Sequence, residues 1–126
     1  MRICITAEKD SLDSRVDPRF GRCGYFLIFD TESGEKEFVE NSDRDGTGGV
    51  GIRAGQYMAQ QKVKAVLTGN VGPNAFQTLS ASGIEVITGV SGTVEDAIGA
   101  YKAGRTKTSA GPSVEPHFGT QKEEGQ

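Results

Sequence analysis

The segment from residue 64 to residue 87 limits the fold of this chain more than any other. Lys64-Ala65-Val66-Leu67-Thr68 reads as a short buried strand, and Gly69-Asn70-Val71-Gly72 as its exit loop. Pro73 stands where the first turn of a helix tolerates proline, because the N–H it lacks would have no intrahelical partner there. Ala75, Phe76 and Leu79 supply an inner stripe, Gly83 a stop, and Ile84-Glu85-Val86-Ile87 a second strand. Strand, helix and strand in this order make a βαβ unit, which requires a parallel pair of strands and a right-handed crossover.

The remaining elements fit around that unit. In Arg2 to Ala7, Ile3 and Ile5 fall on one face of a strand and Cys4 and Thr6 on the other. Glu8 to Gly24 is too charged and interrupted for a regular buried element, and Tyr25-Phe26-Leu27-Ile28-Phe29 then reads as a central strand covered on both faces. Thr31 to Gly34 is a turn, and the charged run Glu35 to Glu40 suits an edge strand paired back as a hairpin. A helix opens out of the glycine-rich segment Asn41 to Gly51, with Val50, Ala54, Tyr57 and Met58 on its inner face. A last helix starts at Thr93, carries Val94, Ala97, Ile98 and Tyr101 inward, and stops at Gly104. The order predicts an α/β domain over residues 1–104, with helices flanking a mixed sheet of about five strands. Residues 105–126 hold only Ala110, Val114 and Phe118 as apolar side chains and read as a flexible C-terminal tail.

Composition narrows the function. No apolar run approaches the ~18 residues of a membrane span, and the first residues lack the apolar stretch of a signal peptide, so a cytoplasmic protein that does not engage membranes is expected. A net charge of −3 argues against a nucleic-acid binder that relies on a strong basic field. Cys4, Cys23 and His117 are the only cysteines and histidine in the chain, too few for a four-ligand zinc site. With no histidine before residue 105, a Ser/His or Cys/His dyad would have to recruit the tail, and no carboxylate cluster projects from the core strands. An enzyme is not expected.

Two loops and one short cluster carry the chemistry that remains. Gly46-Thr47-Gly48-Gly49-Val50-Gly51 matches G-x-G-x-x-G, but a charged strand precedes it and no ribose-binding acid follows the next strand, so a dinucleotide site is disfavoured. Two readings stay open for this loop. Its amides, with Gly48 and Gly49 at a helix start and Arg53 one turn inside, hold an anion, or its glycines only let the chain turn closely. Gly72 and Asn74 belong to a second helix start at the C-terminal end of a strand, where open α/β sheets place ligands, and both loops are expected to converge on one cavity. Arg19-Phe20-Gly21-Arg22-Cys23 joins two guanidiniums to a thiol. Either the arginines favour a metal-binding thiolate at Cys23, or Cys23 is a filler and the arginines pair with Asp13 or Asp17. Cys4 in mid-strand reads as a small hydrophobe, and His117 as a lone histidine that a tail can bring back.

In order, Arg2-Ile3-Cys4-Ile5, Arg19 to Phe26, Gly48 to Ala54, Gly72-Pro73-Asn74-Ala75-Phe76, Gly83-Ile84-Glu85-Val86 and Gly92 to Ile98 resemble the dinitrogenase iron-molybdenum cofactor biosynthesis domain family, as a stand-alone member of the nitrogenase accessory factor-like group. The resemblance implies a three-layer ribonuclease-H-like fold with a mixed five-stranded sheet. It also implies a non-catalytic protein that carries or scaffolds an iron-molybdenum cofactor precursor or a related iron-sulfur or molybdenum-containing cluster, working with other cluster-assembly proteins. The Phe20-Gly21-Arg22 core of the loop motif is present, but Arg19 stands where a histidine is common and Cys23 where a small residue is usual. Candidate cofactor-binding residues are therefore Arg22, Gly48, Gly49, Arg53, Gly72 and Asn74, with Cys23 and His117 as candidate metal ligands. Two other functions compete with a cluster carrier: a regulatory module sensing a small anion or phosphometabolite, and a cofactor-free interaction module that uses the edge strand Glu35 to Glu40.

Overall fold

The computed structural model describes residues 1–114. Strands β1 (Arg2–Ala7), β2 (Tyr25–Asp30) and β3 (Lys36–Glu40) are followed by α1 (Val50–Gln60), β4 (Val63–Leu67), α2 (Pro73–Ala81), β5 (Glu85–Ile87) and α3 (Val94–Lys102). Strand order is β3-β2-β1-β4-β5, with β1 antiparallel to β2 and parallel to β4. The early hairpin and the parallel half combine into the mixed five-stranded sheet that the sequence pattern predicts. β2 is interior as expected, but the middle of the sheet is β1, because β4 pairs on the side of β1 away from β2.

Alternation along the strands divides the core in two. Cys4, Phe26, Ile28, Val66 and Val86 meet Ala54, Met58, Ala75 and Leu79 from α1 and α2 on one face. Ile3, Ile5, Leu27, Phe29 and Leu67 meet Val94, Ala97 and Ile98 of α3 on the other. The continuous apolar run of β2 serves both layers: Phe26, Leu27, Ile28 and Phe29 are all buried. Each such side chain contributes roughly 1.5–3 kcal/mol on burial, so a polar residue on either face of β2 would be costly. α3 is closed at its start by Thr93, whose hydroxyl accepts from the Asp96 amide at 3.1 Å.

Two stretches depart from expectation. Glu8 to Gly24 is irregular, as predicted, yet packed: Val16, Phe20 and Cys23 are buried, with the polar side chains of Ser14 and Asp17. Residues 105–114, expected to begin a free tail, run as a strap along β5. Ser109 N–H donates to Val86 O at 2.7 Å, Thr108 bonds Glu85, and Ser113 N–H donates to Val71 O at 2.9 Å. β5 presents unpaired backbone on its outer side, which the Ser109 N–H meets at Val86 O while the Ser109 hydroxyl accepts from Thr88 N–H just beyond the strand, and neither bond needs an apolar pattern.

The pairing directions determine where the loops meet. β1 and β4 end at the same side of the sheet, and there β2 begins, because Ala7 faces Tyr25, and β3 ends, because Glu40 faces Tyr25. Three loops therefore gather at one end of the sheet: residues 8–24 between β1 and β2, 41–49 after β3, and 68–72 after β4.

Candidate functional site

At that end lies a cleft of about 130 Å³, lined by Arg19, Phe20 and Arg22 from the first loop, residues 48–52, Asn70 and residues 72–75, and Val114 of the strap. Its walls approach closely enough to need glycine. A Cβ on Gly69 would lie 2.6 Å from Pro18 Cα, and one on Gly51 only 3.1 Å from Ala75 Cβ. Gly49 caps α1 with φ 76, a left-handed conformation that glycine adopts without strain.

Neither helix that opens on the cleft has a side-chain cap. Val50, Gly51 and Ile52, the first turn of α1, line the cleft, and a helix leaves the amides of its first turn without an intrahelical acceptor. In α2 the cap is Gly72, Pro73 carries no N–H, and Asn74 and Ala75 of the first turn line the same space. Each helix end adds about half a positive charge, so the two together favour an anion.

The arginines divide into three roles. Arg19 lines the cleft, and its Nε donates to Asp17 Oδ1 at 3.3 Å. Arg22 Nη1 donates to Arg44 O at 3.0 Å and Gly46 O at 3.1 Å, so it clasps the glycine loop, and its charge is felt by Asp43 without a direct bond to it. Arg53 is diverted: its Nε and Nη2 form a fork on Asp43 at 2.7 and 3.2 Å, outside the cleft. That bond holds the Asp43 carboxyl below the usual carboxylate range.

Beneath the arginine side sits a buried polar cluster. Asp17, 3% exposed, accepts from Arg19 N at 3.0 Å and Gly24 N at 3.2 Å as well as from Arg19 Nε. Thr6 Oγ1 donates to Asp17 O at 2.7 Å and lies 2.8 Å from the Thr68 hydroxyl, tying the ends of β1 and β4 to the loop. Asn41 Nδ2 donates to Gly21 O at 2.9 Å and Cys23 O at 3.0 Å, which fastens the same loop to the end of β3.

Cys23 does not have the environment its sequence neighbours imply. Its thiol is fully buried, and desolvation, reinforced by the negative charge of Asp17, pushes its pKa up rather than down. Of the two readings left open, the environment fits the filler: Arg19 pairs with Asp17, Arg22 bonds main-chain carbonyls, and neither guanidinium bonds the thiol. Cys4 is likewise buried, with its thiol raised by burial first and by Cys23 second. Among the described residues no three His, Cys, Asp or Glu side chains cluster as a metal site, and His117 lies outside the described residues.

The structure thus brings Arg22, Gly48, Gly49, Gly72 and Asn74 to one cleft and leaves Arg53 and Cys23 out of its lining. Four further residues complete the arrangement: Arg19, Asn70 and Val114 in the wall and Asp17 behind it. Asp17 carried a sequence signal, since a carboxylate two residues before an arginine in a Pro-containing loop is a ready internal partner; Val114 carried none.

The family model described as dinitrogenase iron-molybdenum cofactor matches residues 1–104. The chain belongs to this family. The apo form of the orange protein from Desulfovibrio gigas superposes with a TM-score of 0.86 at 40% identity, covering 90% of this chain and 96% of that one. A NifB-like protein from Thermotoga gives a TM-score of 0.76 at 39% identity, over 90% and 97% of the two chains. An uncharacterized protein of Methanocaldococcus jannaschii is 33% identical over 96 residues, which is 74% of this chain and 81% of its own length. Membership points to an accessory role linked to iron-molybdenum cofactor assembly. Among the described residues no helix is long and apolar enough to cross a membrane.

Proposed function

We propose that this protein is a non-catalytic cytoplasmic carrier or scaffold that holds an iron-molybdenum cofactor precursor or a related anionic metal–sulfur cluster in the cleft. The observation that carries the reading is the convergence of two uncapped helix starts with Arg19 and Arg22. Such a lining recognises negative charge through amides and guanidiniums and offers no nucleophile or general base among its described side chains. A cluster with a complete set of inorganic sulfide or oxide ligands fits it, since the charge on those ligands is what the lining meets.

Arg22, Gly48, Gly49, Gly72 and Asn74 act as the cofactor-binding set, joined by Arg19. Arg53 supports them indirectly, by bracing Asp43 beside the glycine loop. His117, three residues beyond Val114 in the sequence and outside the described residues, stays a candidate imidazole ligand. Cys23 becomes a ligand only if the Arg19–Gly24 loop opens.

Anaerobic reconstitution with iron, sulfide and molybdate, followed by metal analysis and visible absorption, tests this function. Stoichiometric metal that is lost in an Arg19→Ala/Arg22→Ala variant and retained in Cys23→Ser is expected. Absence of bound metal, with tight binding of simple phosphorylated compounds instead, would transfer the cleft to the anion-sensing alternative. Transfer of the bound cluster to an assembly protein is the corresponding test of partnership.

A further inference from the structure

None of the strap residues 105–114 is fully buried, so hydrogen bonds rather than a hydrophobic anchor keep it in place. Its bonds fall at two points. Ser109 bonds β5 and its exit, donating from N–H to Val86 O and accepting from Thr88 N–H at 3.2 Å. Ser113 bonds the loop between β4 and α2, where it brackets a single residue: its N–H donates to Val71 O and its Oγ accepts from Val71 N–H, each at 2.9 Å.

We propose that Ser113 is a positioning residue of the cleft, holding the Asn70–Gly72 loop and the start of α2 in the geometry that binds an anion. The inference rests on the reading of the cleft as the ligand site. Val71 is 1% exposed and its neighbours on both sides, Asn70 and Gly72, line the cleft. With glycines at 69 and 72 the loop has little intrinsic stiffness, so its conformation depends on what is bonded to it. Gly89 N–H holds the start of the loop through Gly69 O at 2.9 Å, and Ser113 adds the restraint at Val71, its Oγ lying also 3.5 Å from Asn70 Oδ1. Asn70 in turn bonds the opposite wall: its Nδ2 donates to Pro18 O at 3.3 Å and its carbonyl accepts from Phe20 N–H at 3.2 Å. One exposed hydroxyl therefore sits at the end of a bonded series that reaches both walls, and the next residue, Val114, is itself part of the lining. Binding by preorganised amides depends on sub-ångström placement of those amides, which makes the restraint functional.

The test uses the full-length protein with tetrathiomolybdate as a coloured anion, titrated anaerobically by absorption. Hydrogen exchange of peptides covering residues 69–76 is measured with and without the anion. Ser113→Ala is expected to weaken binding about five- to tenfold, the loss of one net hydrogen bond. It should also speed exchange at Val71 and Asn74 in the anion-free protein while the thermal midpoint moves little. Ser113→Thr, which keeps the hydroxyl, should restore both. Unchanged affinity and unchanged exchange in Ser113→Ala overturn the proposal. Failure of the wild type to take up the anion overturns the reading of the cleft instead, and faster exchange in Ser113→Ala would then still support the grip of Ser113 on the loop.

Discussion

Replacing Asp17 by asparagine asks whether one buried carboxylate organises the arginine wall of the cleft. Its two oxygens serve three donors: Oδ1 takes Arg19 N at 3.0 Å and Arg19 Nε at 3.3 Å, and Oδ2 takes Gly24 N at 3.2 Å. Asparagine keeps one acceptor and places an NH₂ where the other oxygen was, so in either orientation a donor faces a donor. The less damaging orientation leaves the Gly24 amide unpaired, at about 1–3 kcal/mol for a buried donor. Loss of charge assistance to Arg19 adds well under about 1 kcal/mol, because that side chain is 40% exposed and its pairing is screened. Release from burying a carboxylate offsets part of the total. A net loss of about 2 kcal/mol is expected. The chain has no tryptophan, so urea unfolding is best followed by far-ultraviolet circular dichroism. With a slope of about 2 kcal/mol/M, within the usual 1–3, the midpoint should fall by roughly 1 M. A midpoint within about 0.2 M of wild type would show that Asp17 fills space rather than organising the loop.

Other expectations follow from single contacts. Gly69→Ala should destabilise by at least about 2 kcal/mol or displace the Pro18 loop, since its Cβ would lie 2.6 Å from Pro18 Cα; a wild-type urea midpoint and unchanged exchange at residues 18–22 would contradict this. Both thiols should resist a thiol-reactive dye in native buffer and react fully in urea, because burial raises both pKa values; rapid labelling of native Cys23 would count against its placement in the core. Asp30, bonded by the Glu32 and Ser33 amides, and Asp43, bonded by Arg53, have folded-state pKa values below the ordinary carboxylate value near 3.9. Their stabilising contribution is complete above that value and is lost as pH falls through the lower folded-state ones. An Asp30→Asn/Asp43→Asn variant should therefore show a shallower acid dependence of stability than wild type, and an equal slope would refute the linkage.

Features set by periodicity were legible in the sequence. Ile3 and Ile5 part from Cys4 across β1, Ala75 and Leu79 turn inward on α2, and the βαβ unit forces the parallel pairing of β4 with β5. Convergence of the two helix starts was legible too, because parallel strands deliver their exit loops to one side. What escaped depends on partners distant in sequence. Arg53 leaves the cleft because Asp43, ten residues earlier, returns across the glycine loop to meet it. Cys23 neighbours two arginines in sequence, but Asp17 and the carbonyls of Arg44 and Gly46 draw those guanidiniums elsewhere while the thiol turns into the core. The strap escaped because a hydroxyl bonding a backbone 42 residues away leaves no pattern of spacing.

The strap also bears on how the molecule behaves in a crowded solution. A sheet with two open edges invites another sheet to extend it, and natural proteins guard such edges. Here the two are guarded by different means. β3 carries Lys36, Glu37 and Glu40, whose charges oppose stacking against a like strand, whereas β5 is three residues long and has the protein's own Ser109 bonded along it. A chain cut after Gly104 would keep the sheet and both core layers but uncover backbone at β5, so such a fragment should self-associate at concentrations where the intact protein stays dispersed. The segment that shapes the cleft thus also keeps one copy of the protein from templating the next.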